Sequence, residues 1–534
     1  EALNCFELMQ TEGLSPDAVT FTCILKACAS FRCVERGKQI HDDVVNRGLL
    51  HKDNVLGNAL VDMYAKCGML PKAEELLKEL PARNVVSWNT LIAGYSQQDR
   101  GYEALDCFER MQKEGISANG VTFSCTLKAC GHIKAIDKGI TIHDEIVKMG
   151  LLIEDIVLGN ALVDMYAKCG MLPKARQVLS ELPLRNVVSW NTLIAGYDQH
   201  EHGLESLNSF SQMQIEGFLP DAVTYVCSLR ACGSIGATDK GKQIHTEIID
   251  RRLLENSIIL GNSLVYMYSK CGLLVKAEEL LNNLPVRNEV SWNALIAGYA
   301  QQEQCHEALN CFERMQSEGL SPDAVTFTCI LKACGNAGAI NKGEKIHNDI
   351  LIRSLLDTDV LVGNALVDMY AKCGVLVKAQ EVHDGLPVRD IVSWNALISG
   401  YTQQGKGHEA LACFELMQGE GISPDTTTFT CILKTSGFIG AIDTGKRIHD
   451  EIVNRGLLEK NVLLGNALVD MYAKCHEPGK AQEVLDELNL HTVVSWSALI
   501  EGYTLEGQGH EALKSFERMQ TEGLFPDAVI FTCI

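Results

Sequence analysis

The sequence predicts an all-α protein, a right-handed superhelical α-solenoid of stacked antiparallel helix pairs. Three observations predict it. One period of 102 residues runs through the chain without an insertion. Within each period apolar residues recur at i, i+3, i+4 and i+7, one face of an α-helix. No segment shows the sustained alternation of a strand.

The period is read from the rarest residues. The tryptophans are Trp88, Trp190, Trp292, Trp394 and Trp496, each 102 after the last. Gly-Asn-(Ala/Ser)-Leu recurs in the same step at Asn58, Asn160, Asn262, Asn364 and Asn466. No linker or low-complexity tract interrupts it, so the three or four domains that the length suggests at ~150 residues each give way to one array.

Each module divides into units of 36, 31 and 35 residues: 18–53, 54–84 and 85–119 in the first. In the 35-residue unit Trp88, Leu91, Ile92 and Tyr95 mark a first helix, for which Ser87 is the expected N-cap. Ala104, Leu105, Phe108 and Met111 mark a second, which Gly115 is placed to end. In the 31-residue unit Leu60, Met63, Tyr64 and Cys67 mark the first helix and Ala73, Leu76, Leu77 and Leu80 the second. Pro71 suits a first turn and Pro81 stops the helix. The 36-residue unit has Phe21, Ile24, Leu25 and Cys28, then Gly37, Ile40 and Val44. Fifteen helix pairs fill 18–527; residues 1–17 and 528–534 are partial units. A single pair cannot bury its apolar stripe, whereas stacked pairs bury a continuous core.

Composition narrows the class. The formal charge is −21, which argues against unspecific clinging to nucleic acid. The 21 cysteines include no Cys-x-x-Cys and lie in apolar periodic segments, so they read as reduced, buried thiols. No apolar run approaches the ~18–20 residues of a membrane span, and no membrane partner is expected. No targeting segment is visible. The chain starts at Glu1 and stops in mid-pattern at Ile534, which suggests a piece of something longer.

Enzyme signatures are missing. His-x-Glu at His143, His245 and His449 is half of a zinc deaminase signature, but Pro-Cys-x-x-Cys does not occur. Those histidines share one helix position, which suits an interface. Cys23 and Cys28 lie about 140° apart around a helix and cannot share a metal. No phosphate-binding loop and no Gly-x-Ser-x-Gly occur. No catalytic residue, metal or cofactor is expected.

The wording of the units carries a resemblance. "VVSWNTLIAGYSQQDRGYEALDCFERMQKEGISAN", "GVTFSCTLKACGHIKAIDKGITIHDEIVKMGLLIED" and "IVLGNALVDMYAKCGMLPKARQVLSELPLRN" resemble the standard (P), long (L) and short (S) units of the PLS class of pentatricopeptide repeat (PPR) proteins. Tetratricopeptide repeats also have helix pairs of this size, but alternating lengths fit them poorly. The resemblance spans the chain and implies L 18–53, S 54–84 and P 85–119, then every 102 residues. It also implies sequence-selective binding of single-stranded RNA in a mitochondrion or chloroplast. The role implied is an adaptor for RNA processing or C-to-U editing, working with other processing or editing factors.

In that family the fifth and last residues of a unit select one base. The S pairs are Asn58 with Asn84, Asn160 with Asn186, Asn262 with Asn288, Asn364 with Asp390, and Asn466 with Thr492. The P pairs are Asn89 with Asn119, Asn191 with Asp221, Asn293 with Asp323, Asn395 with Asp425, and Ser497 with Asp527. The resemblance assigns cytidine to Asn–Asn, uridine to Asn–Asp and guanosine to Ser–Asp. The S and P units from Asn58 then spell C C n C U n C U n U U n Y G, where n is an unread L unit and Y the Asn466–Thr492 pair. The L pairs are Thr22 with Asp53, Ser124 with Asp155, Val226 with Ser257, Thr328 with Asp359, and Thr430 with Asn461. Asn and Asp also cap helices, which is the plain alternative. Against capping alone, the last position switches among Asn, Asp, Ser and Thr while Trp, Leu, Ile and Tyr hardly change.

In the first module the first helices carry a net +1, and the second helices of the 31- and 35-residue units −3. First helices lining a groove would leave acidity outside, with Lys66, Lys168, Lys270, Lys372 and Lys474 as candidate phosphate contacts. Those lysines also sit where they favour a helix C-terminus and can pair four residues back. A protein-binding scaffold is the alternative reading, which the acidity suits.

Overall fold

The computed structural model describes residues 2–50, 54–153, 155–458, 461–526 and 528–534. These form thirty-two α-helices and three short 3-10 turns, and no strand occurs among them. They fall into two compact units, Glu1–Cys271 and Gly272–Ile534.

In the first unit, helices Ala18–Phe31, Asn54–Lys66, Val85–Gln97, Gly120–His132, Ile156–Lys168, Val187–Gln199, Ala222–Ile235 and Ile258–Lys270 form a layer in which each packs on the next. The intervening helices, such as Leu70–Glu79 and Gly101–Lys113, pack on the first-layer helices before and after them. The second unit is built likewise, on Glu289–Gln301, Ala324–Ala337, Val360–Lys372, Ile391–Gln403, Thr426–Ile439, Val462–Lys474 and Val493–Leu505. Both are helix-pair solenoids.

The periodic residues form the core: Trp88, Leu91, Ile92, Phe108 and Met111 are all at most 1% exposed. The close helix spacing needs small residues. A Cβ on Gly196 would stand 2.6 Å from the Ala167 Cβ. The short unit is short because its second helix has ten residues where its neighbours have thirteen. Leu80, forced towards extended backbone by Pro81, ends it at ψ 133°.

Two expectations need correction. Ser87 is not the N-cap of Val85–Gln97; Asn84 is, and Ser87 closes a capping box from the third helical position. Asn84 is extended (φ −134°, ψ 176°), so the helix begins three residues earlier than expected, at Val85 and not Trp88. Nor are all cysteines buried, since Cys5 and Cys23 are exposed. Burial pushes the Cys107 and Cys130 thiols up to about 12.

The repeated histidines are structural. His41, His143, His347 and His449 each place Nδ1 2.9–3.0 Å from the hydroxyl of Tyr64, Tyr166, Tyr370 or Tyr472 on the following first-layer helix. Among the described residues no group of three or more His, Cys, Asp or Glu is placed to hold a metal ion. No described helix is long and apolar enough to cross a membrane.

Candidate functional site

Wherever the last residue of a unit is described, it is the N-cap of the next unit's first helix. In the 35-residue units the Oδ1 of Asn119, Asp221, Asp323 and Asp425 accepts the backbone N–H of Thr122, Thr224, Thr326 and Thr428 at 2.8–3.1 Å. The fifth residue of the same unit reaches this cap. Asn89 Nδ2 donates to Asn119 Oδ1 at 3.0 Å, and Asn191, Asn293 and Asn395 donate to Asp221, Asp323 and Asp425 at 2.9–3.1 Å. The threonine completes the constellation, its hydroxyl donating to the fifth-residue Oδ1 at 2.6 Å in all four cases.

These bonds fix orientation. A backbone N–H only donates, so the oxygen of Asn119 must face Thr122 and its Nδ2 must face outward. Where the last residue is aspartate, an oxygen takes that place. Burial raises the Asp221, Asp323 and Asp425 carboxyls, but the bonds from threonine and asparagine outweigh it, and all three stay below the usual range. They are therefore acceptors only.

The 31-residue units differ. Their cap partner is a serine that bonds back to its own cap, as Ser87 Oγ does to the Asn84 carbonyl at 2.8 Å. Asn84 Oδ1 is used up by the N–H groups of Val86 and Ser87, both at 3.0 Å. Asn58 and Asn160 make no side-chain bond to Asn84 and Asn186, and their amide oxygens are buried without a partner. A last-position carboxylate restores the pair. Asp390 caps with Oδ1 and takes Asn364 Nδ2 on Oδ2 at 3.0 Å. Thr492 bonds Asn466 Oδ1 at 3.1 Å. Asn262 lies in the first compact unit and Asn288 in the second. Ser497 is nearly buried, while its partner Asp527, like Asp53, lies outside the described residues.

Pockets open beside these pairs on the first-helix layer. One of about 370 Å³ is lined by Val188, Asn191, Thr192, Asp221, Val223, Asp164 and Lys168 among others. Another of about 330 Å³ includes Ser124, Lys128, Val157, Asn160 and Asp164. Val188 and Val223, the second residues of consecutive units, are each 54% exposed, and the equivalent Val86, Val121, Val290, Val325 and Val392 are exposed as well, whereas unit 426–461 has Thr427 there. Sequence reading passed over these valines and the third-position threonines. The available signal was an apolar residue repeated off the core face, and threonine alternating with serine.

The 36-residue units present less. Thr22, Thr328 and Thr430 turn their hydroxyls back to the carbonyl four residues earlier, each at 2.8 Å. The repeated lysines form the pairs that helix spacing allows: Lys66, Lys168, Lys372 and Lys474 contact Asp62, Asp164, Asp368 and Asp470 at 2.8–2.9 Å. Beside Lys270 that place is taken by Tyr266, whose ring centroid lies 5.9 Å from Nζ.

Comparison with known proteins places this geometry. Models of the PPR repeat match residues 58–85, 160–187, 262–288 and 494–524, and the PPR repeat family model matches 83–132, 185–234, 287–336 and 389–436. The Arabidopsis thaliana pentatricopeptide repeat-containing proteins At4g39530 and At3g53360 (mitochondrial) are 32% and 33% identical over 99% of the chain. The chain spans 64% and 69% of their own lengths. A chloroplastic relative, At3g63370, is 32% identical. Crystal structures of maize PPR10, alone and in complex with an 18-nt psaJ RNA element, share the fold at TM-scores of 0.62 and 0.64 with 19% identity. They cover 100% and 99% of this chain, which covers 88% and 78% of theirs. The chain belongs to the pentatricopeptide repeat family.

Proposed function

We propose that the chain binds single-stranded RNA and reads one base with each 35- and 31-residue unit, as a PLS-class array of L, S and P units. The observation that carries this is the locked last residue. Asn119 turns an N–H outward and Asp221 a bare oxygen, in equivalent places beside exposed valines. Cytosine offers an acceptor at N3 and uracil a donor, so an outward N–H suits the first and an outward oxygen the second. The aliphatic pairs, such as Val188 and Val223, supply apolar walls for a flat base, and splayed single-stranded bases expose the edge to be read. The RNA complex of the maize relative supports the same reading. We further propose the organellar adaptor role, in RNA processing or C-to-U editing, for the protein to which this chain belongs.

The test is direct binding of the chain to the 14-nt RNA C C n C U n C U n U U n Y G, with n as adenosine and Y as cytidine. The competitor exchanges every read C and U. Preference for the first RNA is expected; equal affinity for both contradicts base reading, and affinity for neither contradicts RNA binding.

A further inference from the structure

Where the second module meets the third, one place on the first-helix layer departs from the other repeats. Tyr266 stands where the others have Asp62, Asp164, Asp368 and Asp470. Arg230 replaces a lysine (Lys26, Lys128, Lys332, Lys434), and Asp198 replaces Ser96, Ala300, Thr402 and Thr504. Val226 replaces a hydroxyl residue (Thr22, Ser124, Thr328, Thr430). All four sit on three consecutive first-layer helices, Val187–Gln199, Ala222–Ile235 and Ile258–Lys270.

The changes compensate one another. The carboxylate has moved from the third of these helices to the first, where Asp198 meets Arg230 Nη2 at 2.7 Å. The pair holds the guanidinium while leaving the Arg230 side chain 50% exposed. Tyr266 is half-buried and lies over Gly233, whose added Cβ would stand 3.3 Å from the ring Cε1. In the preceding module the equivalent residues Ser124, Lys128 and Asp164 line the pocket of about 330 Å³.

We propose that this place in the third module is a stacking anchor: it holds one nucleobase on the Tyr266 ring and the Arg230 guanidinium without reading its edge. The inference rests on the RNA-binding reading and adds to it a contact outside the fifth and last positions. The chemistry supports indifference to base identity. Every base has a π-face that an aromatic ring or a guanidinium plane can cover. Val226, at the fifth position, has no donor or acceptor with which to choose. The other modules, with a carboxylate at the Tyr266 position, lack the ring.

The experiment places 2-aminopurine at the sixth nucleotide of the 14-nt RNA, opposite the Val226 unit, or at the third, opposite the Ser124 unit. The full chain and its Tyr266→Asp and Tyr266→Phe variants are compared. Tyr266→Asp restores the residue that the other four modules carry at this place. The expected result is strong quenching at the sixth position on binding, kept by Tyr266→Phe and lost by Tyr266→Asp. Affinity should drop about tenfold with Tyr266→Asp, within the range for one stacked base. The third position should be unaffected by either variant. Replacing the sixth base by any other should change wild-type affinity less than about twofold. If wild type binds but Tyr266→Asp changes neither quenching nor affinity, the anchor is overturned and RNA binding stands. If wild type does not bind this RNA, both fall.

Discussion

The first four 35-residue units and the 31-residue units carry the same asparagine at the same helix position and treat it differently. In the 35-residue units a threonine hydroxyl satisfies its oxygen and the last residue takes its N–H, so three side chains form a closed set. In the 31-residue units the serine turns to its own cap, and Asn58 and Asn160 keep a buried oxygen unpartnered. On the proposed function, capping and reading are not alternatives. In the longer units the cap fixes the orientation of the last residue that would read. In the shorter ones Asn84 and Asn186 cap without bonding Asn58 and Asn160.

The largest expected effect breaks the closed set. Thr326→Val removes the donor to Asn293 Oδ1 and the acceptor of the Asp323 N–H. Leaving buried polar groups unmet should cost about 2–4 kcal/mol in urea unfolding. Ser291→Ala, at the same place after a 31-residue unit, removes only a capping contact, worth about 1 kcal/mol. Equal losses would mean the two surroundings are energetically alike.

A second test concerns the fourth 31-residue unit. His383 is fully buried where Leu77, Leu179, Leu281 and Leu485 stand elsewhere, and its Nε2 has no partner. His383→Leu should stabilise by about 1–3 kcal/mol, the cost of an unmet buried polar group. A loss of stability on thermal melting would show that the ring contact with Trp394, at 4.2 Å between centroids, outweighs the unmet nitrogen.

Acid should separate the units again. Burial holds His41, His143, His347 and His449 below the usual imidazole range. As pH falls through about 6.5 the unfolded chain takes up protons that the folded chain refuses, so stability falls. Above that pH both states are neutral at these rings and the contribution is complete. All four rings join a 36-residue unit to the 31-residue unit after it. Protection of the amides against hydrogen exchange, corrected for the intrinsic rate at each pH, should therefore fall there first between about pH 6.5 and 5, and not at the caps of the 36-residue units.

Salt should have a small effect. Four of the five repeated lysines contact a carboxylate four residues back. RNA affinity should fall with salt at a slope set by few phosphates, each contributing about −0.7. A slope of many phosphates would return those lysines to the backbone-contact role.

Much of this was legible in the sequence because it is periodic. The 102-residue step fixed the register of the units, and the family resemblance, not the period, made Asn89 and Asn119 a pair. Ser87 was misplaced as a cap because serine and asparagine both cap well, and only the backbone at Asn84 separates them. Thr122 escaped notice because it belongs to the following unit and looks like an ordinary helix residue until Asn89 is seen beneath it. The exposed valines were hidden by the habit of assigning apolar residues to the core.

The most direct measurement is a competition between two RNAs differing only at the second nucleotide, cytidine or uridine, at fixed salt. The chain and its Asn119→Asp variant are compared. Wild type should prefer cytidine and the variant uridine, each by about fivefold, since one net hydrogen bond is worth about 1 kcal/mol. Asn186→Asp should move the fourth nucleotide the same way from a weaker starting preference, because Asn160 is unheld until a carboxylate stands at the last position, as Asp390 does for Asn364. If Asn119→Asp binds both RNAs as wild type does, the last residue is a helix cap and nothing more.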